Sequence, residues 1–315
     1  MATTTGEPRL RRVLVTGAAG RLGRDVVAHF AASGVAITAL DRVGAEGPGI
    51  DRVVAGRADD VAAVRQALVD AEAVVHLAAL PSPHHGTAEE VFCGNTAATF
   101  TVLEQAAIAG VRRAVIASSY SITGLPFALR TRHPAYVPVD EQIPLQIEDP
   151  YGLGKQVDEL IAAMMWWRHG LSVVALRFPF LGRLERELPE RAHHIAEDPS
   201  FAASELWTYL DTRDAAAACA AALERAPAGC HVIGLAAPET LAPYPTATLL
   251  EAFHPDVPRR APLLGRVAAI DTSRAAALLG WSASHLLAVE ALEYPSRPSK
   301  ARPDDGGPAV IEDHE

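Results

Sequence analysis

Apolar residues fall in short blocks at residues 13–15, 35–40, 53–54, 73–77, 114–117, 173–176 and 231–235. Such brief continuous runs suit strands buried on both faces of a parallel sheet. Between most of them the pattern changes to a helical period, over residues 22–32, 61–69, 96–109, 151–168 and 214–225. Ser33-Gly34 stops the first of these helices, and Pro150 is placed to open the fourth. Strands alternating with helices predict a doubly wound α/β fold with right-handed crossovers. Residues 180–205 and 237–265 are rich in proline and polar residues and are expected to be irregular, supplying a small lobe. Residues 209–235 return to the sheet, so the lobe is discontinuous.

Composition narrows the function classes. A chain of 315 residues with 49% hydrophobic content has ample material for one α/β unit and a smaller lobe. A formal net charge of −10, with no basic stretch to offset it, argues against a nucleic-acid partner. Cys93, Cys219 and Cys230 have no metal-ligand spacing and form an odd set, as expected of reduced cytoplasmic thiols and no metal site. Thr16-Gly17 interrupts the apolar run that follows Arg9 to Arg12, which does not fit a signal peptide. No apolar run approaches the roughly 18 residues of a membrane span, so no membrane partner is expected.

Candidate chemistry begins at Thr16-Gly17-Ala18-Ala19-Gly20-Arg21-Leu22-Gly23, between the first strand and the first helix. Gly17 permits a tight turn, Gly20 admits a pyrophosphate to backbone N–H groups, and Gly23 lets helix and strand pack closely. The helix N-terminus adds unpaired donors and a positive dipole end. Asp41 closes the second strand at the offset where an acid holds the ribose hydroxyls of NAD. Adjacent Arg42 leaves NADP open, since a guanidinium can bind a 2′-phosphate. Asp59 or Asp60 is positioned to contact adenine, and capping of the next helix is the competing reading.

Tyr151 and Lys155 lie four residues apart and so share one helix face. A neighbouring ammonium favours the phenolate form of a tyrosine, which suits proton exchange with an alcohol or carbonyl oxygen.

These landmarks together resemble the extended short-chain dehydrogenases/reductases of the NAD-dependent epimerase/dehydratase family. The similarity runs in order through the glycine turn, Asp41, His76-Leu77-Ala78-Ala79, Asn95, Ser118-Ser119, Tyr151 with Lys155, and Leu176-Arg177-Phe178-Pro179. Tyr209 to Asp214, Asp271 to Arg274 and Leu279-Gly280-Trp281 match further landmarks, so the resemblance covers about residues 11–290. It implies a Rossmann-type domain at residues 11–179 and 206–236, a substrate lobe at 180–205 and 237–293, and a disordered tail at 294–315. It also implies Ser119 as the catalytic hydroxyl, with Ser118 the competing choice. Tyr151 is then the acid/base, and Lys155 its activator and a ligand of the nicotinamide ribose. Gly17, Ala19, Gly20, Arg21, Leu22, Asp41, Arg42, Asp59, Leu77, Ala78, Ala79, Asn95 and Phe178 complete the implied cofactor site, and Asn95 has the further role of positioning Tyr151 or a water. The helix carrying Lys155 commonly helps form a homodimer in this family, and Trp166-Trp167 are assigned to core or subunit packing.

The substrate is less sharply specified. Family sugar-nucleotide dehydratases carry an Asp-Glu pair after the catalytic hydroxyl, whereas Tyr120 and Ser121 stand here. Epimerases of sugar nucleotides often place an arginine just before the segment matching Tyr209, where this chain has Trp207 and Thr208. That pattern is more similar to the family's dehydrogenases of free sugar acids. An NAD-dependent oxidoreductase acting on a secondary alcohol of a sugar, sugar acid or similar polyol is the leading expectation. An NAD-retaining epimerase is the alternative, and a dinucleotide sensor without turnover a third. His84, His85, Tyr120, Pro179, Trp207 and Arg213 are candidate substrate contacts. Arg259, Arg260 and Arg266 are further cations that can meet an anionic group or lie solvated, and His193-His194 is read as surface.

Overall fold

The computed structural model describes residues 10–294; the tail expected at 294–315 lies, apart from Tyr294, outside the described residues. Six parallel strands come first: β1 (Arg12–Thr16), β2 (Ala36–Asp41), β3 (Ile50–Ala55), β4 (Ala73–His76), β5 (Arg113–Ser119) and β6 (Ser172–Phe178). Two three-residue strands, β7 (Phe180–Gly182) and β8 (Tyr209–Asp211), pair only with each other, and β9 (Cys230–Gly234) completes the main sheet. Its order is β3-β2-β1-β4-β5-β6-β9, with every pairing parallel. The chain reverses direction of winding between β1 and β4, which opens a crevice at the carboxyl ends of those strands.

Among the described residues eight α-helices accompany the sheet: α1 (Arg21–Ala32), α2 (Val61–Ala67), α3 (Ala88–Ile108), α4 (Pro150–His169), α5 (Glu187–Glu197), α6 (Thr212–Arg225), α7 (Thr246–Phe253) and α8 (Ser273–Leu279). On one face, Val26, Val27 and Phe30 of α1 and the alanine-rich side of α6 cover Val13, Val15 and Ile37. On the other, α2, α3 and α4 cover Leu14, Val74, Ile116 and Val173. Fully burying one such aliphatic or aromatic side chain contributes about 1.5–3 kcal/mol.

The helix that matters most is well specified locally. Asp149 caps α4 by accepting the Gly152 N–H at 2.7 Å, Pro150 occupies its first turn, and Gly170 ends it in the left-handed region at φ +68°.

Two expectations need correction. Helix α3 starts at Ala88, eight residues before the expected residue 96. Thr87 and Glu90 form a capping box there, and Glu89 and Glu90 suit the dipole, but this polar first turn hid the apolar period. Residues 180–205 and 237–265 are not irregular throughout: they hold β7, α5, a 3-10 segment (Pro199–Glu205) and α7. In α5 only Leu188 and Ile195 are buried, two turns apart, which is too sparse a stripe to read by period.

A second core joins these helices to Tyr120, Leu125, Tyr136, Val137, Val139 and Ile143, which the chain supplies between β5 and α4. Conversely Ala275, Leu279 and Trp281 pack on the main core, and the Trp281 indole donates to the Asp214 carbonyl at 3.1 Å. Both stretches cross the partition expected from the sequence. No helix among the described residues is long and apolar enough to cross a membrane.

Candidate active site

The crevice at the sheet switch point is a cleft of about 840 Å³. Gly17, Ala19, Gly20, Asp41, Arg42, Asp59, Leu77, Ala78, Ala79, His85 and Asn95 are among its lining residues. Gly17 stands at φ +68°, and a Cβ there would lie 2.8 Å from the Ala78 nitrogen. A Cβ on Gly23 would strike the Gly17 carbonyl oxygen at 2.1 Å, so glycine is required where helix meets turn. Gly20 is the N-cap of α1 and makes no side-chain cap, leaving first-turn N–H groups to face an anion. The Asp41 carboxylate accepts the Ala19 N–H at 3.0 Å and the Val43 N–H at 3.3 Å, which fastens the strand end to the turn. This donor and acceptor set fits a dinucleotide.

Asp60 caps α2 through the Ala62 and Ala63 N–H groups, whereas Asp59 faces the cleft and is paired in two bonds with Arg57, at 2.8 and 2.7 Å. Arg57 holds the Asp59 carboxyl below the usual carboxylate range by hydrogen bonding, against a smaller penalty from burial. Arg42 is exposed. Arg21 points its guanidinium elsewhere, donating to the Leu181 carbonyl at 2.9 Å, so at the cleft only its backbone remains.

At the carboxyl end of β5 the geometry separates the two serines. Ser118 is buried and donates to Glu159 Oε1 at 2.6 Å, and Arg177 grips the same carboxylate with two 2.9 Å bonds. Ser119 instead accepts the Ser121 N–H at 3.1 Å and hydroxyl at 2.8 Å, retaining its own proton to donate. Helix α4 then places Lys155 Nζ 5.7 Å from the centre of the Tyr151 ring. Lys155 donates to the Ala117 carbonyl at 2.7 Å and to Asp158 Oδ2 at 3.1 Å. Burial works against its ammonium, but the charges of Asp158, Tyr151 and Glu159 outweigh that and hold it above the ordinary lysine range. Phe127 meets the Tyr151 ring edge-on at 6.0 Å, and His84 meets Phe127 at 5.8 Å. Phe127 escaped the sequence reading, although an aromatic eight residues past Ser119 is a usable signal.

Several expected roles change. Asn95 is not turned toward Tyr151: its amide exchanges two bonds with the Leu80 backbone, at 2.8 and 3.0 Å, and so shapes the cleft wall. Trp207 is fully buried in the second core, with its indole N–H on the Pro199 carbonyl at 2.7 Å, and is not a substrate contact. Arg213 is committed to Asp211, at 2.9 and 2.8 Å, and to Glu185 at 3.0 Å, which leaves its cation neutralised. Tyr120 lies in the second core with no partner for its hydroxyl; burial, then the charge of Glu205, drives its phenol upward. Pro179 and Phe178 are buried at the end of β6. His84 and His85 diverge, the first toward Phe127 and the second lining the dinucleotide cleft, with its ring on Ser82 at 2.7 Å.

The remaining cations are also engaged: Arg259 with Glu251, Arg260 over the Tyr136 ring, and Arg266 with Glu239. His193 lies on the exposed side of α5, paired with Glu197. Trp167 is 84% exposed on α4, so of the two places expected for it, core or subunit packing, the core is excluded.

Comparison with known proteins places the chain in a family. The family model described as NAD dependent epimerase/dehydratase family matches residues 13–234. The chain is 30% identical to L-arabinose 1-dehydrogenase (NAD(P)(+)) of Haloferax volcanii over 178 residues, 55% of this chain and 68% of that protein. It is 32% identical to UDP-glucose 4-epimerase of Mycolicibacterium smegmatis over 167 residues, 49% and 50% of the two chains. With uronate dehydrogenase of Pseudomonas putida the identity is 28% over 169 residues, 53% and 59%. The chain thus spans about half to two thirds of these curated relatives. A short-chain dehydrogenase/reductase superfamily protein from Agrobacterium tumefaciens, solved with bound NAD, superposes with a TM-score of 0.65 at 26% identity, over 87% of this chain and 93% of that one.

Proposed function

Because the chain belongs to the NAD-dependent epimerase/dehydratase family, we propose that it is an NAD-dependent oxidoreductase of a secondary alcohol in a sugar, sugar acid or similar polyol. The observation that carries this reading is the packing of α4 against the carboxyl end of β5, where Lys155 Nζ lies 2.7 Å from the Ala117 carbonyl, two residues before Ser119, and 5.7 Å from the centre of the Tyr151 ring. Bound NAD supplies the chemistry of taking up the two electrons of the substrate C–H bond. Ser119 donates a hydrogen bond to the substrate oxygen, and Tyr151 takes the proton of that hydroxyl. Lys155, held cationic among Asp158, Tyr151 and Glu159, stabilises the phenolate form in which Tyr151 can take that proton. The cofactor is bound by Gly17, Ala19, Gly20 and the first turn of α1, with Asp41 favouring NAD over NADP.

Net oxidation is preferred to epimerisation for a structural reason. Inverting a centre through a ketone requires the sugar to turn over while a diphosphate anchor holds. Trp207 and Thr208 precede β8 where such an anchor would need a cation, and both are buried. Similarity to dehydrogenases of L-arabinose and uronate supports a free sugar or sugar acid. Phe100, Leu153, Leu160 and Trp167 are exposed on α3 and α4, consistent with a homodimer through these helices. The unpaired cysteines suit a cytoplasmic setting.

A screen of free sugars, sugar acids and sugar nucleotides with added NAD tests the proposal. Growth of NADH absorbance with a free sugar or sugar acid is the expected result. Conversion of a sugar nucleotide to its stereoisomer, with no added cofactor and no net NADH, would establish the epimerase instead.

A further inference from the structure

The chain contains two lysines, Lys155 and Lys300, and Lys155 is buried against an acid, Asp158, whose geometry the proposed mechanism does not yet use. Asp158 lies one turn further along α4, 1% exposed, with Oδ2 3.1 Å from Lys155 Nζ. Its Oδ1 accepts no hydrogen bond, although the Thr99 hydroxyl of α3 faces the carboxylate. Thr99 is itself tied to β4, where His76 Nε2 lies 3.2 Å from its oxygen. On the other side of the ring, His76 Nδ1 lies 2.7 Å from the Thr16 hydroxyl at the end of β1.

The direction of this chain follows from counting donors. The Thr16 oxygen accepts two backbone N–H groups, from Leu77 at 3.2 Å and Ala78 at 3.3 Å, so its own proton goes to His76 Nδ1. His76 is fully buried and pushed down to about 3, by burial first and then by the Lys155 cation, and is therefore neutral. A neutral ring accepting at Nδ1 carries its proton at Nε2 and donates to Thr99. The Thr99 hydroxyl is then free to donate toward Asp158. The donors thus run from Thr16 through His76 to Thr99, whose hydroxyl faces Asp158, and the other oxygen of that carboxylate accepts from Lys155.

We infer that Asp158 is a positioning residue for Lys155, whose carboxylate fixes the ammonium toward the Ala117 carbonyl. This rests on the proposed roles of Tyr151 and Lys155 and assigns the buried group that maintains them. The groups that face Lys155 are Tyr151, Asp158 and Glu159 on its own helix, the Ala117 carbonyl on β5 and His76 on β4. Arg177 on β6 and Ser118 on β5 hold Glu159. Asp158 alone among the carboxylates is within hydrogen-bond distance of Nζ, whereas Glu159 is already bonded by Ser118 and Arg177.

The scarcity of lysine makes this measurable. Full-length protein labelled at lysine Cε with ¹³C gives two signals, and Lys300→Arg identifies that of Lys155. In the wild type Lys155 should titrate above the roughly 10.4 of an ordinary lysine. In Asp158→Asn the midpoint should fall by at least about one pH unit, and Asp158→Glu should restore it in part. The alkaline limit of turnover should move with it, while dinucleotide affinity stays within about threefold of wild type, as expected when only the Tyr151–Lys155 pair is affected. Identical Lys155 midpoints in wild type and Asp158→Asn would overturn the inference. A wild-type midpoint below that of an ordinary lysine would overturn it too, even if the variant failed to fold. The titration needs no substrate, so failure of the oxidoreductase reading would appear separately, as absence of turnover with a normal lysine titration curve.

Discussion

Ser118 donates to Glu159 at 2.6 Å, and this one bond decides which of two adjacent serines is available to a substrate. The neighbouring hydroxyl of Ser119 accepts from Ser121 and keeps a proton to give. Ser119→Ala should therefore lower turnover by about 10² with dinucleotide affinity retained. Ser118→Ala should instead cost stability, about 1 kcal/mol for a part-buried carboxylate that loses a donor but keeps Arg177. Steady-state kinetics and urea unfolding of both variants distinguish the roles, and a reversed pattern would move the catalytic hydroxyl to Ser118.

Asp41 has two tasks at the end of β2, anchoring the turn through Ala19 and presenting negative charge to the ribose site. The wild type should bind NAD in preference to NADP, and Asp41→Ala should narrow or reverse that preference by removing repulsion of a 2′-phosphate. Fluorescence titration of both dinucleotides against both proteins measures it. A wild-type preference for NADP would mean that exposed Arg42 governs the pocket.

Trp207 tests whether the second core has been read correctly. With its ring fully buried and its N–H on Pro199, Trp207→Ala should destabilise the protein by about 3–5 kcal/mol. A substrate contact would behave otherwise, raising KM at unchanged thermal stability.

His76 gives the fold a pH dependence of predictable sign. Its folded value lies near 3, below that of an unfolded histidine, about 6.5, so only the unfolded chain takes up this proton between those limits. The stability it contributes is complete above about pH 6.5 and is lost as pH falls toward about 3, at roughly 1.4 kcal/mol per pH unit. Urea midpoints measured from pH 7 to 5 should fall less steeply in His76→Gln than in the wild type. Parallel slopes in the two proteins would show that His76 is not buried neutral.

Much of this architecture was legible because it rests on local rules. The inner strands of the main sheet announce themselves as continuous apolar runs, since both faces of a parallel sheet are covered, whereas edge strand β3 offers only Val53-Val54 and buries only Val54. The glycine turn, Asp41, Tyr151 and Lys155 are readable because each fixed spacing answers a geometric need. Elements with few buried residues were not: α5 presents only Leu188 and Ile195 to the core, and β7 and β8 are three residues each. Misread side chains had partners that no spacing rule announces. Arg213 is neutralised by Asp211, two residues before it, as well as by Glu185, and Asn95, expected to position Tyr151 or a water, instead bonds Leu80 through the path of a loop. The run from Thr16 through His76 and Thr99 to Asp158 joins two strands and two helices, and only the folded chain brings it together.

The account turns on Tyr151, which shares a helix face with Lys155 and lies beside the Phe127 ring. Its most direct test is turnover of Tyr151→Phe with an accepted sugar or sugar acid, measured alongside NAD binding. The variant keeps the ring and removes the oxygen that exchanges the proton. Turnover should fall by about 10² or more while NAD affinity stays close to that of the wild type. Near-normal NADH formation by Tyr151→Phe would contradict the assignment and move the proton transfer to another group.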